Sequence, residues 1–482
     1  MIRVQTPGAE FARRGFADPD GAARIWAGFA SDGGPAPLEL DRFADLGDRL
    51  RALQTLDRIR DASPARFAAL CADRRWCDAV LRVAGASSVL AGALAGDGAL
   101  VDHLGVAVEP RDHAGWEAFF AERVPVEDGE AHVDADALRL ANRAAIAEIA
   151  ARDLAAPEPE GVVEEVVAEL THVADHVLRA SLALARAEVP DWRDVRLAVI
   201  AFGKAGAGEL NYLSDVDVMY LAEPADGVSV ERAVTVATRL AAAQARICSA
   251  HTRAGTIWSI DAGLRPEGHA GPLVRTLASY RAYYGQWAKN WEFQALLKAR
   301  PAAGDPELGA RFVAMVEPMV WAAGGRDGFV PEMRAMRERV ISLIPAGERE
   351  RDIKLAAGGL RDTEFSVQLL QLVHGRGDDR IRSRGTLDAL AELTANGYIG
   401  RGDGAQLAEH YRFQRALEHR VQLQHLRRTH LVPESRDQLA AIARTLRRSV
   451  EDLDERWHSS LRDVRRLRQR IFFSPILDVV TH

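Results

Sequence analysis

Apolar residues recur at intervals of three and four through most of the chain, the spacing of helices that bury one stripe. Residues 41–59 and 63–71 carry Leu, Ile and Phe in that pattern, and Asp61-Ala62-Ser63-Pro64 predicts a helix start, with Ser as cap and Pro in the first turn. Two long helices are predicted between 136 and 189, parted by Ala156-Pro157-Glu158-Pro159-Glu160-Gly161. The second carries Val163, Val166, Leu170, Val173 and Val177 along one side. Beyond residue 305 the helical period returns over 305–321, 330–343, a segment ending at His374, 406–430 and 451–472. Between these regions the period falls to two. Residues 195–202 read as a buried strand, a glycine-rich turn enters a short helix, and a second strand begins at Ser214-Asp215-Val216-Asp217 and runs to Leu221. An amphipathic helix over 230–250 follows, then a short strand within 255–263 that delivers Asp261.

This order predicts an α+β, predominantly helical protein of three parts: a helical domain over 1–138, a strand-bearing domain over 139–304 and a helical bundle over 305–482. At 482 residues, 48% hydrophobic and 27% charged, the chain has the make-up of a soluble globular protein. Its formal net charge of −7 argues against broad nucleic-acid binding and leaves a protein or a nucleotide as the expected partner. Cys71, Cys77 and Cys248 make no metal-binding pattern, which fits a reducing cytoplasm. Residues 1–16 lack the apolar centre of a signal peptide. The longest apolar stretch, 81–101, is interrupted by Arg82, Asp97 and four glycines, so no membrane span is expected.

The chemistry concentrates in 195–221. On a strand, Asp215 and Asp217 project from the same face. Paired carboxylates repel unless a cation lies between them, and magnesium, which takes oxygen ligands and arrives with substrate phosphates, is the expected occupant. Asp261 on a neighbouring strand would complete the set. The plain alternatives are surface acids for the pair and a turn acid for Asp261. Gly203-Lys204 is no P-loop, because Ala205 follows the lysine, and Asn211 stands where a dinucleotide fingerprint needs its third glycine. His172 and His176, four apart on a helix, could share a metal but read as a solvated pair. The Arg-rich run 465–470 reads as a solvated helix face.

The order of strand, glycine-rich turn, Ser-Asp-x-Asp and strand is the layout of the polymerase-beta-like nucleotidyltransferase fold. GKAGAGELNYLSDVDVMYL resembles the corresponding motif of the glutamine synthetase adenylyltransferase/adenylyl-removing enzymes. LRPEGHAGPLVRTLASYRAYY, WEFQALLKARPAAGD, IKLAAGGLRDTEFSVQLLQLVHG and EHRVQLQHLRRTH agree with it in order. Ala201, Ala205, Ala207 and Gly263 depart from the family pattern. Full members carry two copies of the unit, and this chain reads as one. GPLV, the Tyr283-Tyr284 pair and LLKARPAAGD resemble the N-terminal, adenylyl-removing copy.

The resemblance therefore implies phosphorolysis of adenylyl-tyrosine on glutamine synthetase, with phosphate consumed and ADP released. Two Mg2+ ions would sit on Asp215, Asp217 and Asp261. Phosphate or nucleotide would meet Gly203, Lys204, Ser214, Arg265, Lys354, Arg361 and Glu364. Adenylylated glutamine synthetase and a PII-type nitrogen signal protein would be the partners, with no nucleic acid and no membrane. Two alternatives stand beside this: the half that adds AMP from ATP, and a non-enzymatic module that docks glutamine synthetase or a PII protein.

Overall fold

The computed structural model describes residues 8–31, 38–106 and 109–472. The amino-terminal seven and carboxy-terminal ten residues, which bear on the readings of leader and linker, lie outside the described residues. Two compact units are formed, one within Met1–Pro110, Ala144–Val166 and Arg415–Trp457, the other within Arg111–Arg143, Val167–Gln414 and His458–His482.

The first unit is helical. Ser63 caps helix Pro64–Ala72 by accepting from the Arg66 amide, with Pro64 in its first turn, as the sequence predicts. The pattern over 41–59 does not form one helix. A 3-10 turn, Leu40–Phe43, gives way to a break, and Asp48 then caps a fresh helix, Arg49–Ala62, through the Arg51 amide. A cap aspartate competes for backbone donors and so marks a start inside an unbroken apolar stripe. Arg420 and Asp153, 1% and 3% exposed, form a buried bidentate pair within this unit. The expected helix over 406–430 stops earlier, at Leu423 (helix Arg401–Leu423), and Leu426 takes φ 40°.

The second unit holds a five-stranded open sheet: β1 (Val195–Ala201), β2 (Val216–Pro224), β3 (Ile260–Asp261), β4 (Val274–Arg275) and β5 (Arg300–Gly304). The order is β3-β2-β1-β5, with β4 also pairing β2. Antiparallel pairing joins β1 to β2 and to β5, while β3 and β4 run parallel to β2. β1 is almost wholly buried, in keeping with its run of Val, Leu, Ala and Ile, broken only by Arg196. Its core includes Ile200, Phe202, Leu221, Tyr280, Phe312 and Leu370. Helix Val230–Ser249 is capped by Ser229 and buries Val236, Leu240 and Ile247. The strand expected within 255–263 contracts to the two residues of β3, and β5 was not expected. The architecture is a polymerase-beta-like nucleotidyltransferase fold flanked by helices, as the sequence predicts. Among the described residues no single helix is long and apolar enough to cross a membrane; Ser88–Gly96 and Gly98–Val106 pass that test only as a pair bent by 106°.

His176 is buried rather than solvated. Its ring stacks on Phe120, and Nε2 donates to the His113 carbonyl at 3.3 Å, while Arg179 donates to His113 Nε2 at 3.2 Å. Burial, then the nearby charges of Arg179, His113 and His172, push its pKa down to about 4. An unfolded chain titrates near 6.5 and takes up the proton first, so stability falls as pH drops from about 6.5 to 4, by up to roughly 3 kcal/mol from this residue. Thermal melts across that window should show the loss, and His176→Phe should flatten it.

Candidate active site

The site grows from the turn after β1. The Phe202 amide donates to the Asp217 carbonyl at 2.9 Å, drawing the turn against the start of β2. Gly203 then takes φ +55°, and a Cβ there would stand 2.3 Å from Asp217 Oδ2. A Cβ on Gly206 would stand 2.1 Å from the Lys298 carbonyl. Both glycines are therefore needed for close approach, the first to a carboxylate and the second to a backbone. The helix they open, Gly203–Ala207, is only five residues long.

Asp217 is paired in register with Asp261 across the parallel β2–β3 ladder. Asp215 lies one residue before β2 begins. Burial, then the charge of Asp261, raises the Asp217 pKa to about 6, with Asp215 adding to the rise and Lys354 and Arg361 opposing it. The three carboxylates are thus electrostatic neighbours. Asp261 Oδ1 also accepts from the Gly263 amide at 2.7 Å, which fixes its side chain. Among the described residues no three His, Cys, Asp or Glu side chains gather closely enough to hold a metal unaided. Magnesium commonly takes one or two carboxylates and completes its shell with water and phosphate. A crowded carboxylate pair suits that chemistry, because a cation would offset the burial and repulsion that raise the Asp217 pKa.

A cavity of about 380 Å³ opens beside Asp217 and Gly203. Lys298 and Arg361 supply its charge, and Trp291, Met336 and Phe365 its apolar surface. Glu364 is 3% exposed and 3.4 Å from Arg361. Burial alone would raise its pKa, yet Arg361, Lys298, Lys204 and Lys354 together hold it below the usual carboxylate range. So Gly203, Asp217 and Arg361 line one cavity. Asp215, Asp261, Lys204, Lys354 and Glu364 lie within electrostatic reach of Asp217 or of the cationic group.

Two sequence-predicted residues are turned to other tasks. Arg265, 8% exposed, donates to the carbonyls of Ala262, His269 and Gly271 and so braces the loop after β3. The Ser214 hydroxyl donates to the Asp215 carbonyl at 3.0 Å.

Lys298, which the sequence does not single out, is a wall of the cavity and lies 3.4 Å from Glu209 Oε2. Glu209 also accepts from the Thr386 amide and hydroxyl, tying the glycine-rich turn to helix Thr386–Ala395. A lysine followed by Ala-Arg-Pro carries no signal for that role. Buried Arg337, another lining residue, donates to Asp362 at 2.7 Å and to the carbonyls of Leu355 and Ala356.

Comparison with known proteins bears on the direction of the chemistry. A family model described as glutamate-ammonia ligase adenylyltransferase matches residues 77–315, and one described as PII-uridylyltransferase matches 334–472. The chain is 47% identical over 483 aligned residues to a bifunctional glutamine synthetase adenylyltransferase/adenylyl-removing enzyme of Streptomyces avermitilis, covering 97% of this chain and 47% of that protein. The protein of that name from Streptomyces coelicolor is 48% identical, with the same coverage. In Cutibacterium acnes the identity is 58% over 347 residues, 72% of this chain and 35% of the relative.

The adenylyl-removing assignment is therefore corrected, because the region holding the sheet and carboxylates matches a model described for the adenylyltransferase. Two residues of the blocks that favoured the other half serve packing. Tyr284 is 3% exposed in the core, and the Gly271 carbonyl serves Arg265. The chain spans about half the length of its Streptomyces relatives, carries a nucleotidyltransferase-type catalytic fold, and is similar over nearly its whole length to bifunctional glutamine synthetase adenylyltransferase/adenylyl-removing enzymes.

Proposed function

We propose that this chain transfers AMP from ATP to a tyrosine hydroxyl of glutamine synthetase, releasing pyrophosphate. The observation that carries the reading is the register-paired Asp217 and Asp261 beside a cavity walled by Lys298 and Arg361. The adenylyltransferase match over the same residues supports the direction.

In this reading the purine lies against Trp291 and Phe365, and the triphosphate faces Arg361, Lys298 and Lys354. The phenolic oxygen attacks the α-phosphorus in line. The new O–P bond forms as the bond to the β-phosphate bridge breaks, pyrophosphate carries away the electron pair, and the phenolic proton passes to solvent. Positioning and charge neutralisation supply most of the acceleration in such transfers. Asp215, Asp217 and Asp261 would hold Mg2+, two ions in this reading, whose chemistry when bound is to polarise phosphoryl oxygens and acidify the attacking hydroxyl. Glu364 keeps the cationic wall oriented, and Glu209 fixes Lys298. Arg265 acts through the loop it braces.

The test is incubation of the chain with α-labelled ATP, Mg2+ and unmodified glutamine synthetase. Label should enter the acceptor in step with pyrophosphate release, at a rate changed by an added PII-type protein, the partner proposed to tune it. If adenylylated glutamine synthetase and phosphate yield ADP while ATP leaves no label, the proposed direction is wrong.

A further inference from the structure

The helical first unit contains an arginine-lined cavity that the transfer chemistry does not use. About 210 Å³ in volume, it lies among the 3-10 turn Leu40–Phe43, helix Arg74–Ala86 and the end of helix Arg436–Thr445. Arg42, Arg74, Arg82 and Arg447 face it, against Asp41, Asp45 and Asp78. Asp41 is already committed to Arg14. Arg42 takes the near oxygen of Asp78 at 3.1 Å, which leaves Arg82 3.8 Å from the other. Among the described residues the guanidinium groups of Arg82 and Arg74 have no hydrogen bond, and Arg82 is only 32% exposed. Burial, and the like charges of Arg447 and Arg42 against the pull of Asp78, hold Arg82 below its ordinary range. A guanidinium is a planar fork matched to carboxylate or phosphate oxygens. Here two forks carry no hydrogen bond, Arg82 having only its 3.8 Å ion pair with Asp78, in a lining with one more cation than anion.

Arg447 supplies a second, independent observation. It adopts φ 58° just past the end of its helix, a left-handed position that ordinarily favours Gly or Asn. Its guanidinium meets Asp45 at 3.0 Å and the Leu154 carbonyl at 3.3 Å, on the cavity wall. A residue unsuited to the backbone there brings a charge to the pocket.

We infer that this cavity is a binding site for a small dianion, a phosphate or a compact dicarboxylate, clasped by Arg82 and Arg74 and faced by Arg42 and Arg447. The inference is independent of the direction of AMP transfer. Isothermal titration of the full chain at low ionic strength with inorganic phosphate, and separately with succinate, tests it. At least one should bind, and the tighter identifies the source of the oxyanion. Arg74→Ala/Arg82→Ala should weaken that binding at least tenfold. Arg447→Gly should weaken it too while the thermal midpoint holds or rises, which separates lost binding from lost folding. The site is overturned if neither dianion binds the native chain, or if affinity is the same in both variants. A phosphate held only in the catalytic cavity would give the latter result.

Discussion

Replacing Asp217 with Asn is expected to lower AMP transfer by at least roughly 100-fold, the scale of losing one electrostatic stabiliser of a charged transition state. The side chain keeps its shape, so the close approach of Gly203 to Oδ2 and the backbone bond from Phe202 survive. What disappears is the charge that, with Asp261, would hold a cation. Because that charge is buried beside two other carboxylates, removing it relieves repulsion in the free protein. The thermal midpoint should therefore stay level or rise. A purely structural Asp217 would show the reverse, a lower midpoint with activity falling only as far as the folded fraction. Asp261→Asn should follow Asp217→Asn in rate, since the two are register partners. Initial rates of label incorporation and calorimetric melts, with and without Mg2+, decide between the accounts. Near-native turnover in both variants would remove these carboxylates from the reaction.

What the sequence reveals and what it conceals divide along physical lines. β1 and β2 are legible because each is a largely apolar run bounded by turn residues, and the glycines between them are explained by close approach at Gly203 and Gly206 and by the left-handed backbone of Gly208. The start at Ser63 is legible because a cap acts within three residues. β5 is illegible: Arg300-Pro301-Ala302-Ala303-Gly304 has weak strand propensity, and it is extended because it pairs with β1 from Ala198↔Gly304 to Ala201↔Arg300. As an edge strand it tolerates Pro301. His176 misleads for a related reason, since its ring neighbours Phe120 and His113 lie more than fifty positions away. Asp215, Asp217 and Asp261 could be nominated from alternation and motif. Lys298 could not, because its role depends on Glu209 and Thr386, which are distant in sequence. The direction of transfer is a different kind of failure. The two opposed reactions place equal demands on the carboxylates, and the blocks used to choose between them hold packing residues such as Tyr284 together with Lys298 of the cavity wall.

Asp362→Ala is expected to have the largest effect on stability of any single change near the cavity. Asp362 is 0% exposed, accepts from Arg337 Nε at 2.7 Å and the Gly358 amide at 2.6 Å, and forms an ion pair with Arg468 Nε at 3.4 Å. Arg337 is itself fully buried, and Arg468, from the run expected to be solvated, is only 9% exposed. Removing the carboxylate strands the buried Arg337 guanidinium away from water, a situation that typically costs about 3–5 kcal/mol, and leaves Arg468 with its ion pair to Glu338. The Gly358 amide loses its partner as well, and that glycine cannot shift, since a Cβ there would stand 2.0 Å from the Leu461 carbonyl. With the usual conversion for a unit of this size, the second unit's melting midpoint should fall by roughly 5–8 °C. Asp362→Asn keeps an acceptor for the Gly358 amide but loses the charge, so it should fall between the two. A double change, Asp362→Leu with Arg337→Met, tests the cause. If the loss comes from uncompensated charge, an apolar pair should recover part of the stability, with Arg468 left to its contact with Glu338. If Asp362→Ala melts with the native protein, the buried triad contributes nothing to the fold. Transfer activity should track the folded fraction in the single Asp362 variants, because Asp362 reaches the cavity only through Arg337; the double change also alters the cavity lining and is read by stability alone.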